Sequence, residues 1–254
     1  MYKDKFNKYS VKLHNLIGGT GALPAPEPAP APAPAPVPVV VQAPRQRSAI
    51  FSEGPNPPLF VFDCDFTIWP FDCDGPEITD PQPPYTRGAH GYVYGVNPIY
   101  NYPPIHADPY PNVPYILGAL YDAGIQVAFA SRNRSADQIE ALLRLIPLQS
   151  QQPGLSLWDS LRGRTDLFHA YSSGSNGGEN NKLRHFTRLR NASSVGFPNM
   201  VFFDDNRHNT NHAESIGIIS ILLSQATGLT WDAIDNVVGR WRARQAAPAP
   251  AAAP

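Results

Sequence analysis

Leu59, Phe60, Val61 and Phe62 form an unbroken apolar run that stops at Asp63-Cys64-Asp65-Phe66-Thr67. A run apolar at every position predicts a strand buried on both faces, as in the interior of a parallel sheet. Four later stretches share this character: 125–130, 168–171, 200–203 and 218–223. Between them the apolar spacing becomes helical. Asn112 is placed to cap a helix with Pro114 in its first turn, Ile116, Leu117 and Leu120 inward, and Gly124 as its stop. Ser135-Ala136-Asp137-Gln138 reads as a capping box before Ile139, Leu142, Leu143 and Ile146, and Pro147 ends that helix. A basic helix follows the glycine-rich 174–178, with Leu183, Phe186 and Leu189 inward. Thr230 caps the last helix, where Leu229 and Ile234 form a staple and Val237, Val238 and Trp241 face in. Strands alternating with helices predict an α/β fold, a doubly wound parallel five-stranded sheet.

The alternation is interrupted once. Residues 75–112 are rich in Pro, Tyr, Gly and Asn, and a hairpin is expected with Tyr92-Val93-Tyr94 and Pro98-Ile99-Tyr100 around 95–97. This makes a small cap insertion, about 71–112, over the end of the first strand. The Phe-Asp-Cys-Asp of 62–65 recurs at 71–74, but the copy has no apolar run before it and Gly75-Pro76 after it. It reads as loop, with Asp74 at most near a site.

Composition divides the chain. The chain has 29 prolines and the excess is local: 22–38 alternates proline with alanine, and the last residues repeat the theme. Such a tract stays extended and acts as a spacer. The organisation read from this is a basic amphipathic segment at 1–21, a Pro/Ala linker at 22–56, a domain at 57–244 and an Ala/Pro tail at 245–254. Twenty basic against 21 acidic residues leave the chain near neutral, so no bulk attraction to nucleic acid is expected. Lys182, Arg184, Arg188 and Arg190 read as a solvated helix face. Two cysteines are too few for a disulfide scaffold or a four-ligand zinc site and suit a reducing compartment. No run nears the roughly 20 apolar residues of a membrane span. A soluble cytoplasmic monomer without membrane association is expected.

Polar groups fall where the apolar strands end: Asp63, Asp65 and Thr67 after the first, Ser131 and Arg132 after the second, Asp204 and Asp205 after the fourth, with Lys182 at a helix start. Ligands of open α/β sheets bind at the carboxyl ends of strands. Phosphoryl transfer needs these residue types together. A carboxylate can attack phosphorus, Mg²⁺ can bridge carboxylate and phosphate oxygens, and a hydroxyl and an ammonium can take the other oxygens. A second carboxylate can protonate the leaving oxygen and then activate water. Singly, each signal is ordinary: an Asp-x-Asp after a strand is usually a turn or cap, and Ser131 or Lys182 alone a helix-start residue. Their order on one βα frame gives them weight. Cys64 reads as packing, and His208 and His212 share a helix face without a third ligand.

DCDFT, ASR, Lys182 and FFDD resemble, in order, the four motifs of haloacid-dehalogenase (HAD) type phosphatases. FDCDFTIWPF, YPNVPYILGALYDAGIQVAFASR, KLRHFTRL and MVFFDDNRHN are similar to the magnesium-dependent phosphatase family of small acid phosphatases, over roughly 59–241. The resemblance implies Asp63 as nucleophile and Asp65 as general acid/base. It implies Mg²⁺ held by Asp63, the Asp65 carbonyl and Asp204, with Asp205 close by, and a phosphoryl group bound by Thr67, Ser131, Lys182 and Arg132. It also implies that the strands bearing Asp63 and Asp204 are neighbours at the topological switch point. Asn206 and His208 stand where that family has glutamate and arginine. Residues 1–19, with four lysines and a closing Ile-Gly-Gly, look like the start of proteins of large cytoplasmic DNA viruses, which implies a docking role and a host-cytoplasm or virion location.

The function expected is an Mg²⁺-dependent phosphomonoesterase acting through an aspartyl-phosphate. The resemblance implies phosphotyrosine-like or sugar-phosphate substrates. A receiver-type phosphoacceptor uses similar groups, but its acidic pair precedes the phosphorylated aspartate, the reverse of the order here. A catalytically idle interaction or virion-associated protein is the alternative from another class.

Overall fold

The sheet is built outward from the run that opens the domain. In the computed structural model, which describes residues 57–73, 87–88, 91–92, 108–171 and 182–247, β1 (Leu59–Phe62) lies at its centre. On one side it pairs in parallel with β4 (Val127–Ser131), and on the other with β6 (Met200–Asp204). β5 (Phe168–Ala170) lies outside β4, and β7 (Ile219–Leu222) outside β6, giving the order β5-β4-β1-β6-β7. All four pairings are parallel. The described residues belong to the second of two units into which the chain divides, Val39–Pro254.

Every residue of β1, β4 and β6 is buried. Successive side chains of a strand point to opposite faces, so both faces of the central sheet are covered. Phe62 stacks on its cross-strand partner Phe203 with ring centroids 5.0 Å apart, which fixes the register of the two strands that end in Asp63 and Asp204. The chain runs from β1 to β4 and β5 on one side and then crosses to β6 and β7 on the other. The switch point lies between β1 and β6.

The helices are α1 (Val113–Asp122), α2 (Ala136–Leu145), α3 (Leu183–Ser193), α4 (Arg207–Ser215) and α5 (Trp231–Ala246). Thr230 caps α5 by accepting from the Ala233 amide at 3.3 Å, and Leu229 and Ile234 are both buried, as the staple predicts. Two expected caps are not made: neither Asn112 nor Ser135 bonds its helix through the side chain. Asn112 has helical backbone angles, so its oxygen cannot reach back over the first turn. A capping box does form at Ser156 and Asp159, before a short 3-10 turn. On α3 the buried face is His185, Phe186 and Leu189, while Leu183 is half-buried. The last helix runs to Ala246, two residues into the expected tail.

In the insertion, β2 (Arg87–Gly88) pairs antiparallel with β3 (Gly91–Tyr92). Tyr92 is thus the second strand of a pairing rather than the start of the first. The remainder of the expected hairpin, with Asp74, the segment 1–21 and the linker 22–56, lies outside the described residues. Among the described residues, no helix is long and apolar enough to cross a membrane.

Candidate active site

The carboxyl end of β1 is shaped by a tight turn. The Asp63 amide donates to the Phe203 carbonyl at 2.9 Å and so extends the β1–β6 ladder by one bond. The Thr67 and Ile68 amides then both bond the Cys64 carbonyl, at 3.2 and 2.8 Å. Closing this loop puts Phe66 in the left-handed region, φ 54°, which costs a non-glycine residue about 1–3 kcal/mol. As a result Asp63 and Asp65 both line one cleft, of about 190 Å³, with Ser131, Arg132 and Asp205. Cys64 between them is fully buried, and burial, reinforced by Asp63 and Asp65, pushes its thiol well up. It stays protonated and packs.

Beneath the cleft lies Lys182, with no exposed surface. Its Nζ is 2.7 Å from Asp63 Oδ1 and 2.7 Å from Asp204 Oδ2, and it donates to the Ala130 carbonyl at 2.7 Å. All three ammonium protons are committed. Burial alone would lower its pKa, but Asp204 and Asp63 outweigh it and hold the ammonium above its ordinary value. Burial drives the Asp63 carboxyl well above the usual carboxylate range; Lys182 opposes this, while Asp204 and Asp65 add to it. The Asp205 carboxyl is also raised, first by burial, with Gln225 opposing and Asp204 adding. Acidic groups outnumber cationic ones here, so the cleft favours a cation.

Carboxylate oxygens of Asp63, Asp204 and Asp205 all lie within 4.8 Å of one another. A donor set made of oxygens alone, on rigid strand ends, fits a hard divalent cation such as Mg²⁺. Asp204 is held on three sides. The Asn206 amide bonds its Oδ1 at 2.7 Å, and Asn209 Nδ2 reaches both of its oxygens. Asn206 itself caps α4 by accepting from the His208 amide. Asp205 accepts from Gln225 Nε2 at 2.6 Å, and Tyr110 Oη donates to the Gln225 carbonyl.

Of the residues singled out in the sequence, Asp63, Asp65, Ser131, Arg132 and Asp205 meet at the cleft, and Lys182 and Asp204 support it from below. Thr67 does not join them. Its side chain is fully buried, its hydroxyl has no hydrogen-bond partner, and its carbonyl accepts from the Leu229 amide. The turn that brings Asp65 back to the cleft carries Thr67 away from it. The copied motif is loop, as expected, and its residues Asp72 and Cys73 close over the turn. Asp72 lines the cleft and the Cys73 amide donates to Asp65 Oδ1. Asn133, Asn209 and Gln225 were not expected. Only Asn209 had a signal in the sequence, a polar residue one turn into α4 at a position facing the core.

A sequence model of the acid phosphatase family matches residues 55–244. The human protein named magnesium-dependent phosphatase 1 is 29% identical over 173 residues, 68% of this chain and 81% of its own length. Among solved structures, the N-terminal part of a Bacteroides fragilis protein, described as containing a phosphatase domain complexed with Mg, is 18% identical with a TM-score of 0.45. That match covers 74% of this chain but only 41% of the other.

Proposed function

The chain belongs to the acid phosphatase family, and on that footing we propose that it is an Mg²⁺-dependent phosphomonoesterase acting through an aspartyl-phosphate at Asp63. The observation that carries this reading is the placement of Asp63 and Asp204 at the ends of neighbouring parallel strands, bridged by one buried lysine. Magnesium would be held by Asp63, Asp204, Asp205 and the carbonyl of Asp65, and when bound it supplies positive charge against the phosphoryl oxygens and keeps Asp63 ionised.

The chain's own residues divide the remaining work. Asp63, fixed by Lys182, attacks phosphorus; the new Asp63–phosphorus bond forms as the bond to the ester oxygen breaks. Asp65 gives its proton to that departing oxygen. It then takes a proton from the water that attacks the aspartyl-phosphate, releasing inorganic phosphate and restoring Asp63. Ser131 and Arg132, which line the cleft, bind the phosphoryl oxygens. Lys182 reaches them only through Asp63, so it serves first as the anchor of the nucleophile.

The cleft formed by the described residues is smaller than the roughly 300–1,000 Å³ of pockets that enclose a drug-sized ligand. Its size suits the phosphoryl group itself. Phosphotyrosine-like and sugar-phosphate esters, the substrate types that the family resemblance implies, both present that group.

The test is hydrolysis of 4-nitrophenyl phosphate by the purified full chain, with Mg²⁺ and with chelator. Turnover is expected with Mg²⁺ alone and is expected to fall to background in Asp63→Asn. Activity that survives either chelation or that substitution overturns the mechanism.

A further inference from the structure

Asp65 is held unevenly at its two oxygens. Oδ1 accepts from Trp69 Nε1 at 2.9 Å and from the Cys73 amide at 3.2 Å, which fills both of its lone-pair positions. Oδ2 accepts from Asn133 Nδ2 at 2.9 Å. The Cys73 thiol faces the same carboxylate but is a weak donor. One lone pair of Oδ2 is therefore left to carry a proton into the cleft that Asp65 and Asn133 both line.

The orientation of the Asn133 amide is not free. Asn133 is 4% exposed, and its Oδ1 accepts from the Ser135 amide at 2.7 Å. Turning the amide over would set an NH₂ against the Ser135 N–H and a carbonyl against a carboxylate. The backbone N–H of Asn133 also donates to Ser131 Oγ at 3.1 Å. One residue thus ties the phosphoryl-binding hydroxyl to the proton-carrying carboxylate and sets the spacing between them.

We propose that Asn133 is a positioning residue that presents Oδ2 of Asp65 to the leaving-group oxygen, so that the proton passes from Oδ2 to the ester oxygen as its bond to phosphorus breaks. This rests on the reading of Asp65 as general acid. Its signature is dependence on the leaving group. A 4-nitrophenolate departs without a proton, whereas an alkoxide needs one. The ratio kcat/KM covers binding through departure of the leaving group, so it isolates this step from the later attack of water.

The experiment measures kcat/KM in Mg²⁺ for 4-nitrophenyl phosphate and for an alkyl phosphate, in wild type, Asn133→Ala, Asn133→Ser and Asp65→Asn. Serine retains an oxygen that can accept from the Ser135 amide but is too short to reach Asp65. Both Asn133 variants are expected to lose about 100-fold on the alkyl ester and less than about 3-fold on the aryl ester. Asn133→Ser decides the matter should Asn133→Ala fail to fold. Equal losses on both esters, or no loss, overturn the proposal while Asp65→Asn still discriminates between them. If Asp65→Asn itself shows no such difference, the general-acid reading falls and this proposal with it.

Discussion

Asn209 Nδ2 donates to both oxygens of Asp204, at 3.2 and 2.9 Å, with both side chains buried. The amide fixes the rotation of a carboxylate that also meets the Lys182 ammonium and the Asn206 backbone N–H. Partners of this kind orient metal ligands, and their loss typically weakens metal binding about 10–100-fold. Asn209→Ala is therefore expected to raise the Mg²⁺ dissociation constant by that order, read by calorimetric titration of the metal without substrate. An unchanged constant would mean that the strand end alone orients Asp204.

Lys182 is the one cation set between Asp63 and Asp204, and nothing else among the described residues is placed at Nζ to replace it. Lys182→Met keeps most of the volume and leaves two buried carboxylates facing each other. Removing one partner from a buried ion network costs about 3–5 kcal/mol. Urea unfolding in chelator at neutral pH is expected to show a loss of that order, together with loss of phosphatase turnover. A variant as stable as wild type would show that the carboxylates are solvated well enough to stand without it.

A close approach between α1 and the segment after α2 sets a third expectation. A Cβ built on Gly118 would lie 1.8 Å from the Gln149 carbonyl oxygen, a backbone atom that cannot swing aside. Alanine is the better helix former by about 1 kcal/mol, yet here overpacking wins, at a cost of about 1–3 kcal/mol or more. Gly118→Ala should lower the urea midpoint. A rise would show that the Gln149 loop yields.

The sheet was legible because its strands are buried on both faces, and burial on both faces leaves an unbroken apolar run in the sequence. Asp63 and Asp204 were legible because they end such runs. Strand order was carried by the family resemblance, since a run of apolar residues says nothing about its neighbours. Thr67 was misplaced because its side chain's direction depends on the left-handed angle at Phe66, which no spacing rule anticipates. Asn133 and Gln225 were silent for a related reason. Each acts across the fold, on a carboxylate 68 or 20 residues away, and polar residues in loops look alike until the loop is folded. The Cys73 contact was hidden behind a motif copy that read as loop.

His185 gives the site a pH dependence of stability that is separate from the carboxylates. The ring is fully buried, stacks on Tyr171 with centroids 4.1 Å apart, and shares a 2.8 Å hydrogen bond with the Ser131 carbonyl. Burial, reinforced by the Lys182 charge, lowers its pKa from 6.5 to about 3. Because the folded value is depressed, the unfolded chain binds the proton and the folded chain does not between those two values. Stability therefore falls as pH drops from 6.5 toward 3 and is fully regained above 6.5. From pH 6.5 to about pH 5 the histidine's share of that fall is about 2 kcal/mol. His185→Gln, which can still donate toward the Ser131 carbonyl, removes the titrating group. Its unfolding free energy is expected to fall less steeply than wild type's over that interval, by the same 2 kcal/mol or so. Parallel curves for the two proteins, measured by urea unfolding at each pH, would show that the ring is protonated in the fold and that a counter-charge reaches it.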